Sequence, residues 1–130
     1  MSEVRFTVGR VRGQGRPRFA RGRAYKAAAD REYEAEIAAA YLAAGGPVHS
    51  GPVAVRVDAR RPLPKARPRT APPEPDTGRP DADNVAKAVL DALNGVAWED
   101  DSQVVLLEVV KHPRERGAPE RLDVRVAPYR

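Results

Sequence analysis

The sequence predicts a single α+β domain of order β-α-β-α-β-β, a mixed sheet with both helices packed on one face. Three observations carry that prediction. The 130 residues suffice for one real core and are too few for two. Stretches with two-residue apolar alternation are interleaved with stretches of helical spacing, as an α+β layer arrangement requires. Glycine and proline clusters punctuate each change of period. There is no internal repeat and no sign of a second domain.

Residues 4–11, "VRFTVGRV", alternate well enough to form the first strand, ended by the loop "RGQGRPR". Residues 25–44 are rich in Ala and Glu, with Tyr33, Ile37, Tyr41 and Leu42 at helical spacing, and Gly45-Gly46-Pro47 stops that helix. In "GPVAVRVDARR", Val53, Val55 and Val57 share one face of a strand while Ala54, Arg56 and Asp58 share the other. Residues 62–80 hold seven of the thirteen prolines, which excludes a helix or a central strand and predicts a mobile loop. A second helix over residues 84–93 ends at Asn94-Gly95. Residues 103–111 and 122–126 read as two closing strands joined through "HPRERGAPE" as a hairpin.

Composition narrows the function classes. Without cysteine, neither a disulfide framework nor a thiolate metal site is possible. The first residues lack the apolar run of a signal peptide, and no run approaches the roughly 20 residues of a membrane span. The expectation is a soluble, cytoplasmic protein. Charge is distributed unevenly. Between Arg10 and Lys26 lie Arg12, Arg16, Arg18, Arg21 and Arg23, with no acid among them, and a second acid-free cluster runs through Arg60, Arg61, Lys65, Arg67 and Arg69. Nine of the eighteen acids fall between Glu74 and Glu108. Arginines clustered in Gly- and Pro-containing segments are a footprint for phosphate backbones, which makes Arg16, Arg18, Arg21, Arg23, Lys26, Arg60, Arg67 and Arg69 candidate DNA contacts. The competing reading is a run of solubilising charge.

The acids concentrate in "RPDADNVAKAVLDALNGVAWEDDSQVVLLEVVK". Asp81 and Asp83 stand at the entry to the second helix, whose apolar stripe is Val85, Ala86, Val89, Leu90 and Leu93. Asn84, Lys87 and Asp91 fall on the opposite stripe. Asp101 precedes a strand whose expected sheet partner is the one before the proline loop. Such an arrangement would gather Asp81, Asp83 and Asp101 around a hard divalent cation with Lys87 beside it, reconciling acids with a phosphate partner in a chain of pI about 10. Plainer roles compete. Asp83 would serve as an N-cap, Lys87 would pair with Asp83 and Asp91 at i,i+4, and Glu99-Asp100-Asp101 would form a solvated turn. An EF-hand is excluded, since counting from Asp81 places Ala86 where glycine is needed and Ala92 where the bidentate glutamate belongs. A nucleotide-sugar DxD site lacks the doubly wound pattern it would follow. His49 and His112 stand alone in loops and suggest no zinc site.

The stretch resembles the RusA family of Holliday junction resolvases of phages and prophages, whose signature is D-x-D-N-x-x-K-x-x-x-D-A-L, then an aromatic and D-D-x-Q-V near a strand start. Asp81, Asp83, Asn84, Lys87, Asp91, Ala92, Leu93, Trp98, Asp100, Asp101, Gln103 and Val104 fill those positions. "GRPRFARGRAYK" is similar to the basic N-terminal segment of phage-type members, while the long proline segment departs from the compact ones. The resemblance implies a homodimeric, Mg²⁺-dependent endonuclease, with Mn²⁺ as a substitute, that nicks four-way or other branched DNA and leaves 5′-phosphate and 3′-hydroxyl ends. It places the essential carboxylates on Asp81, Asp83 and Asp101 and the catalytic lysine on Lys87. Asn84, Asp91 and Asp100 become supporting residues around the ion. The alternatives are a metal nuclease for other branched DNA and a non-catalytic basic DNA-binding protein.

Overall fold

A computed structural model describes residues 3–14, 18–20, 22–25 and 27–130. Strand β1 (Val4–Val8) is followed by the short strands β2 (Arg18–Ala20) and β3 (Arg23–Tyr25), helix α1 (Ala28–Ala43), strand β4 (Val53–Arg60), helix α2 (Ala82–Leu93), a 3-10 turn (Asp101–Gln103) and strands β5 (Val104–Lys111) and β6 (Arg121–Pro128). The α+β class, the mixed sheet and the order of the main elements are as predicted. Two boundaries differ by three residues. β1 stops at Val8, although Val11 is still buried. The first helix begins three residues later than expected because Tyr25 is taken by a β2–β3 ribbon, where it pairs with Arg18 and the chain reverses at Gly22 with φ 76°.

The predicted closing hairpin is not formed. The four-stranded sheet has the order β1-β6-β4-β5, so β6 lies between β1 and β4, antiparallel to both, and β5 runs parallel to β4 on its other side. Burial explains the choice. Leu122, Val124 and Val126 of β6 are almost wholly buried, which suits a central strand, whereas Val105, Leu106 and Leu107 of β5 are 54%, 43% and 40% exposed, which only an edge tolerates. The parallel β4–β5 pair needs a crossover of a dozen residues or more, and the proline segment with α2 supplies it.

Alternation sets the layers. Val53, Val55, Val57 and Ala59 of β4 point with the alternate residues of β1 and β6 into the core, where they meet Tyr33, Ile37 and Tyr41 of α1 and Val85, Val89 and Leu93 of α2. Tyr41 packs edge-on against Phe6 of β1, ring centroids 6.0 Å apart. α1 lies against β1, α2 against β5, and the two helices against each other.

Residues 61–80 form a loop fastened at several points. Arg61 makes a forked hydrogen bond to the fully buried Asp76 carboxylate (2.9 and 2.6 Å), with Lys111 Nζ 3.8 Å away. Burial pushes the Asp76 carboxyl upward, but the Arg61 fork and the charges of Arg61, Lys111 and Arg114 outweigh it, leaving the group below the ordinary range. Glu74 exchanges backbone hydrogen bonds with Arg114, and Leu63 is buried beside Glu115.

Candidate metal and nucleic-acid site

Asp81 takes the N-cap position of α2, yet its side chain makes no capping bond; its carbonyl accepts from Val85 N at 3.0 Å. Asp83 lies in the first turn, so the capping role considered for it does not hold. Both carboxylates are exposed, and neither makes a hydrogen bond or ion pair with a described residue. They stand at the positive end of the helix, where negative charge is favoured. Because Val85, Ala88, Val89 and Ala92 turn inward, Asp83, Lys87 and Asp91 share the outer ridge. Lys87 is exposed and lies 3.5 Å from Asp91, so one of the two expected i,i+4 pairs forms.

The loop after β1 closes on the same helix end. Gln14 N donates to the Asn84 carbonyl at 3.1 Å. A Cβ on Gly13 would come within 2.7 Å of Pro80 Cβ and 3.0 Å of Asn84 Cβ, so only glycine allows this approach. The result is a cleft of about 680 Å³ lined by Arg12, Gln14, Arg79, Asp81 and Asn84 among others.

At the other end of α2, Gly95 takes a positive φ of 80° and donates to the Trp98 carbonyl at 2.8 Å. The buried Trp98 indole donates to Asp101 Oδ1 at 2.8 Å, which aims that carboxylate. Asp100 caps the 3-10 turn by accepting from Ser102 N at 2.9 Å, while Gln103 Oε1 accepts from Glu99 N and Asp100 N. Hydrogen bonding from Ser102 holds the Asp100 carboxyl below its usual value. The Glu99-Asp100-Asp101 turn is therefore built by internal bonds. Asp100 has a structural duty, and Asp101 keeps one oxygen outside its bond to Trp98. As expected, the strand after Asp101 pairs with the strand before the proline segment.

Asp81, Asp83 and Asp101 are not brought together in one chain. Gly78, just ahead of Asp81, is tied to Lys111 at the end of β5, whereas Asp101 precedes the start of β5. The twelve residues of α2, about 18 Å at 1.5 Å per residue, separate the two ends. No group of three metal-ligating side chains occurs among the described residues. Asp81 and Asp83 suit a hard cation that keeps several waters, but Asp101 of the same chain cannot join them.

The basic candidates divide. Arg16, Arg21 and Lys26 lie outside the described residues, and Arg18 and Arg23 are described only as backbone of β2 and β3. Arg69 is exposed. Arg60 donates to Asp123 at 2.9 Å and Arg67 forks onto Glu74, so the second cluster, acid-free in sequence, acquires acids through the fold. His112 is likewise not alone: its Nε2 lies 2.7 Å from Asp58 Oδ1 on β4.

A family model described as "Endodeoxyribonuclease RusA" matches residues 9–127. The chain is also 34% identical, over 92% of its own length and 94% of the other's, to "Uncharacterized protein YqaN" of Bacillus subtilis (strain 168). With the acidic motif on α2 and ahead of β5, and the match spanning nearly every element, the chain belongs to the RusA endodeoxyribonuclease family.

Proposed function

We propose that the protein is a Mg²⁺-dependent, structure-selective endonuclease that resolves four-way DNA junctions by paired symmetrical nicks, acting as a homodimer. The observation that carries this reading is that the side chains of Asp81 and Asp83 bond to no described residue. They stand exposed at a helix entry, beside a cleft rimmed by Arg12 and Arg79. Mg²⁺, or Mn²⁺ in its place, would supply charge neutralisation at the phosphoryl oxygens and activation of water. The chain's own residues do the rest. Arg12 and Arg79 hold the DNA phosphate over the cleft, and the Lys87 ammonium on the outer ridge of α2 stabilises charge developing on the reacting phosphate. The bond from Trp98 fixes the direction in which Asp101 points.

A second copy answers the separation of the acids. β5 is an edge strand with exposed apolar side chains, a surface prone to pairing with another strand. α2 lies beside it. Two copies joined by antiparallel β5 edges run their α2 helices in opposite directions, which turns the Asp81–Asp83 end of one toward the Asp101 end of the other. A two-fold axis also gives two equivalent sites for two symmetric cuts.

The test is a synthetic four-way junction with and without Mg²⁺, beside forks and flaps of equal arm sequence. The expected products are paired nicks that ligase reseals, with the junction cut in preference. Equal cutting of forks and flaps would make it a nuclease of other branched DNA. Binding without cutting in either metal would reduce it to a DNA-binding protein.

A further inference from the structure

The face of the sheet turned away from the helices is organised in charged rows by strand register. Arg5 of β1 stands opposite Arg125 of β6, which stands opposite Arg56 of β4. One pleat along, Thr7, Asp123 and Asp58 form the next row, and beyond it Arg121 faces Arg60. Like charges directly opposite one another on neighbouring strands are unfavourable unless something offsets them.

The acidic row is fully engaged. Asp123 accepts from Thr7 Oγ1 at 2.6 Å, from Arg60 at 2.9 Å and from Arg121 at 3.0 Å. Asp58 accepts a two-pronged bond from Arg56 (3.1 and 3.0 Å) and faces His112. The outer row keeps an excess of positive charge. Among the described residues Arg5 has only the exposed Glu3, and Arg56 reaches a second acid, Glu108, at 3.8 Å. Arg125, between two arginines, makes no hydrogen bond or ion pair with a described residue and lines a shallow depression of about 480 Å³.

We propose that the Arg5–Arg125–Arg56 row is a phosphate-binding strip for the backbone of a DNA arm, separate from the α2 cleft. Guanidinium groups present paired donors that match phosphate oxygens, and the exposed pairs to Glu3 and Glu108 are weak enough to be exchanged for them. The shallow, charged floor fits a polyanion running across the strands. The strip carries the DNA of the proposed nuclease past the far side of the sheet.

The test measures junction and duplex affinity of wild type, Arg125→Gln and Arg5→Gln/Arg125→Gln across a salt series. The slope of log K against log salt should fall by about 0.9 for each lost phosphate contact, so by roughly 2 for the double variant. Single-turnover cleavage at saturating protein should stay at the wild-type rate. Side-chain NMR of the arginine Nε–H groups adds a second readout: duplex should shift Arg125 at constant ionic strength. An unchanged slope in folded variants overturns the strip. So does a shift caused by inorganic phosphate but not by duplex, or loss of self-association with DNA affinity intact. A wild type that binds DNA but cuts no junction would sink the proposed activity and leave the strip standing.

Discussion

Lys87 shows why single residues decide between catalysis and scaffolding here. Among the described residues its one ion pair is to Asp91, 3.5 Å away on an exposed helix ridge, and such a pair is worth a few tenths of a kcal/mol. If the ammonium also serves the reacting phosphate, Lys87→Ala should leave folding and metal binding unchanged. It should then slow nicking on the order of a hundredfold or more under single-turnover conditions. Lys87→Arg should rescue only in part, since it moves and reshapes the charge. A wild-type rate for Lys87→Ala would return the residue to the surface. Asp58 offers a test by pH. Its hydrogen bond from Arg56 leads the effects that lower its pKa from 3.8 to about 2, with His112 adding to them against the opposing effect of burial. A depressed folded-state pKa contributes stability that is present above pH 4 and lost as pH falls from 4 toward 2. The size is roughly 2 kcal/mol at most. Asp58→Asn should flatten the pH dependence of the urea midpoint in that window, and an unchanged slope there would contradict the assignment.

At the scale of elements, the buried Arg61–Asp76 pair is the most enclosed of the points that fasten the proline segment. Removing one partner of such a pair strands the other charge, so Asp76→Ala should cost about 3 to 5 kcal/mol in urea unfolding. An Arg61→Met/Asp76→Leu double variant should recover most of it. If the single change cost under 1 kcal/mol, the segment would not depend on the pair. What the sequence revealed and concealed divides along the same line. α2 was legible nearly to the residue, because a strong apolar stripe and an Asn-Gly stop are local signals. The β4 and β6 cores were legible from alternation. The pairing of β5 and β6 was not. Closeness in sequence favoured a hairpin, whereas the near-total burial of Leu122, Val124 and Val126 demanded a central place that only the assembled sheet reveals. The β2–β3 ribbon was hidden for a related reason, since three-residue strands in an arginine-rich stretch leave no readable period.

For the whole molecule, the sequence announced which acids belong together but not that one chain holds them apart. The motif is continuous over some twenty residues, while α2 places its two halves at opposite ends of about 18 Å of helix. A two-fold pairing along β5 predicts that each site combines Asp81 and Asp83 of one protomer with Asp101 of the other. Asp83→Asn and Asp101→Asn should each be inactive alone. Mixed under conditions of subunit exchange, half the dimers become heterodimers. Each heterodimer then has one site with both acids intact and one with both lost. Roughly a quarter of the wild-type site number should return, as single-strand nicks rather than paired cuts. Mn²⁺ binding followed by electron paramagnetic resonance should recover in the same proportion, a readout independent of cleavage. Leu106→Lys, placed on the exposed edge, should give a folded monomer with neither activity nor tight ion binding. If instead each site lay within one chain, every site in the mixture would carry a defect, and the mixture would stay as inactive as its parents.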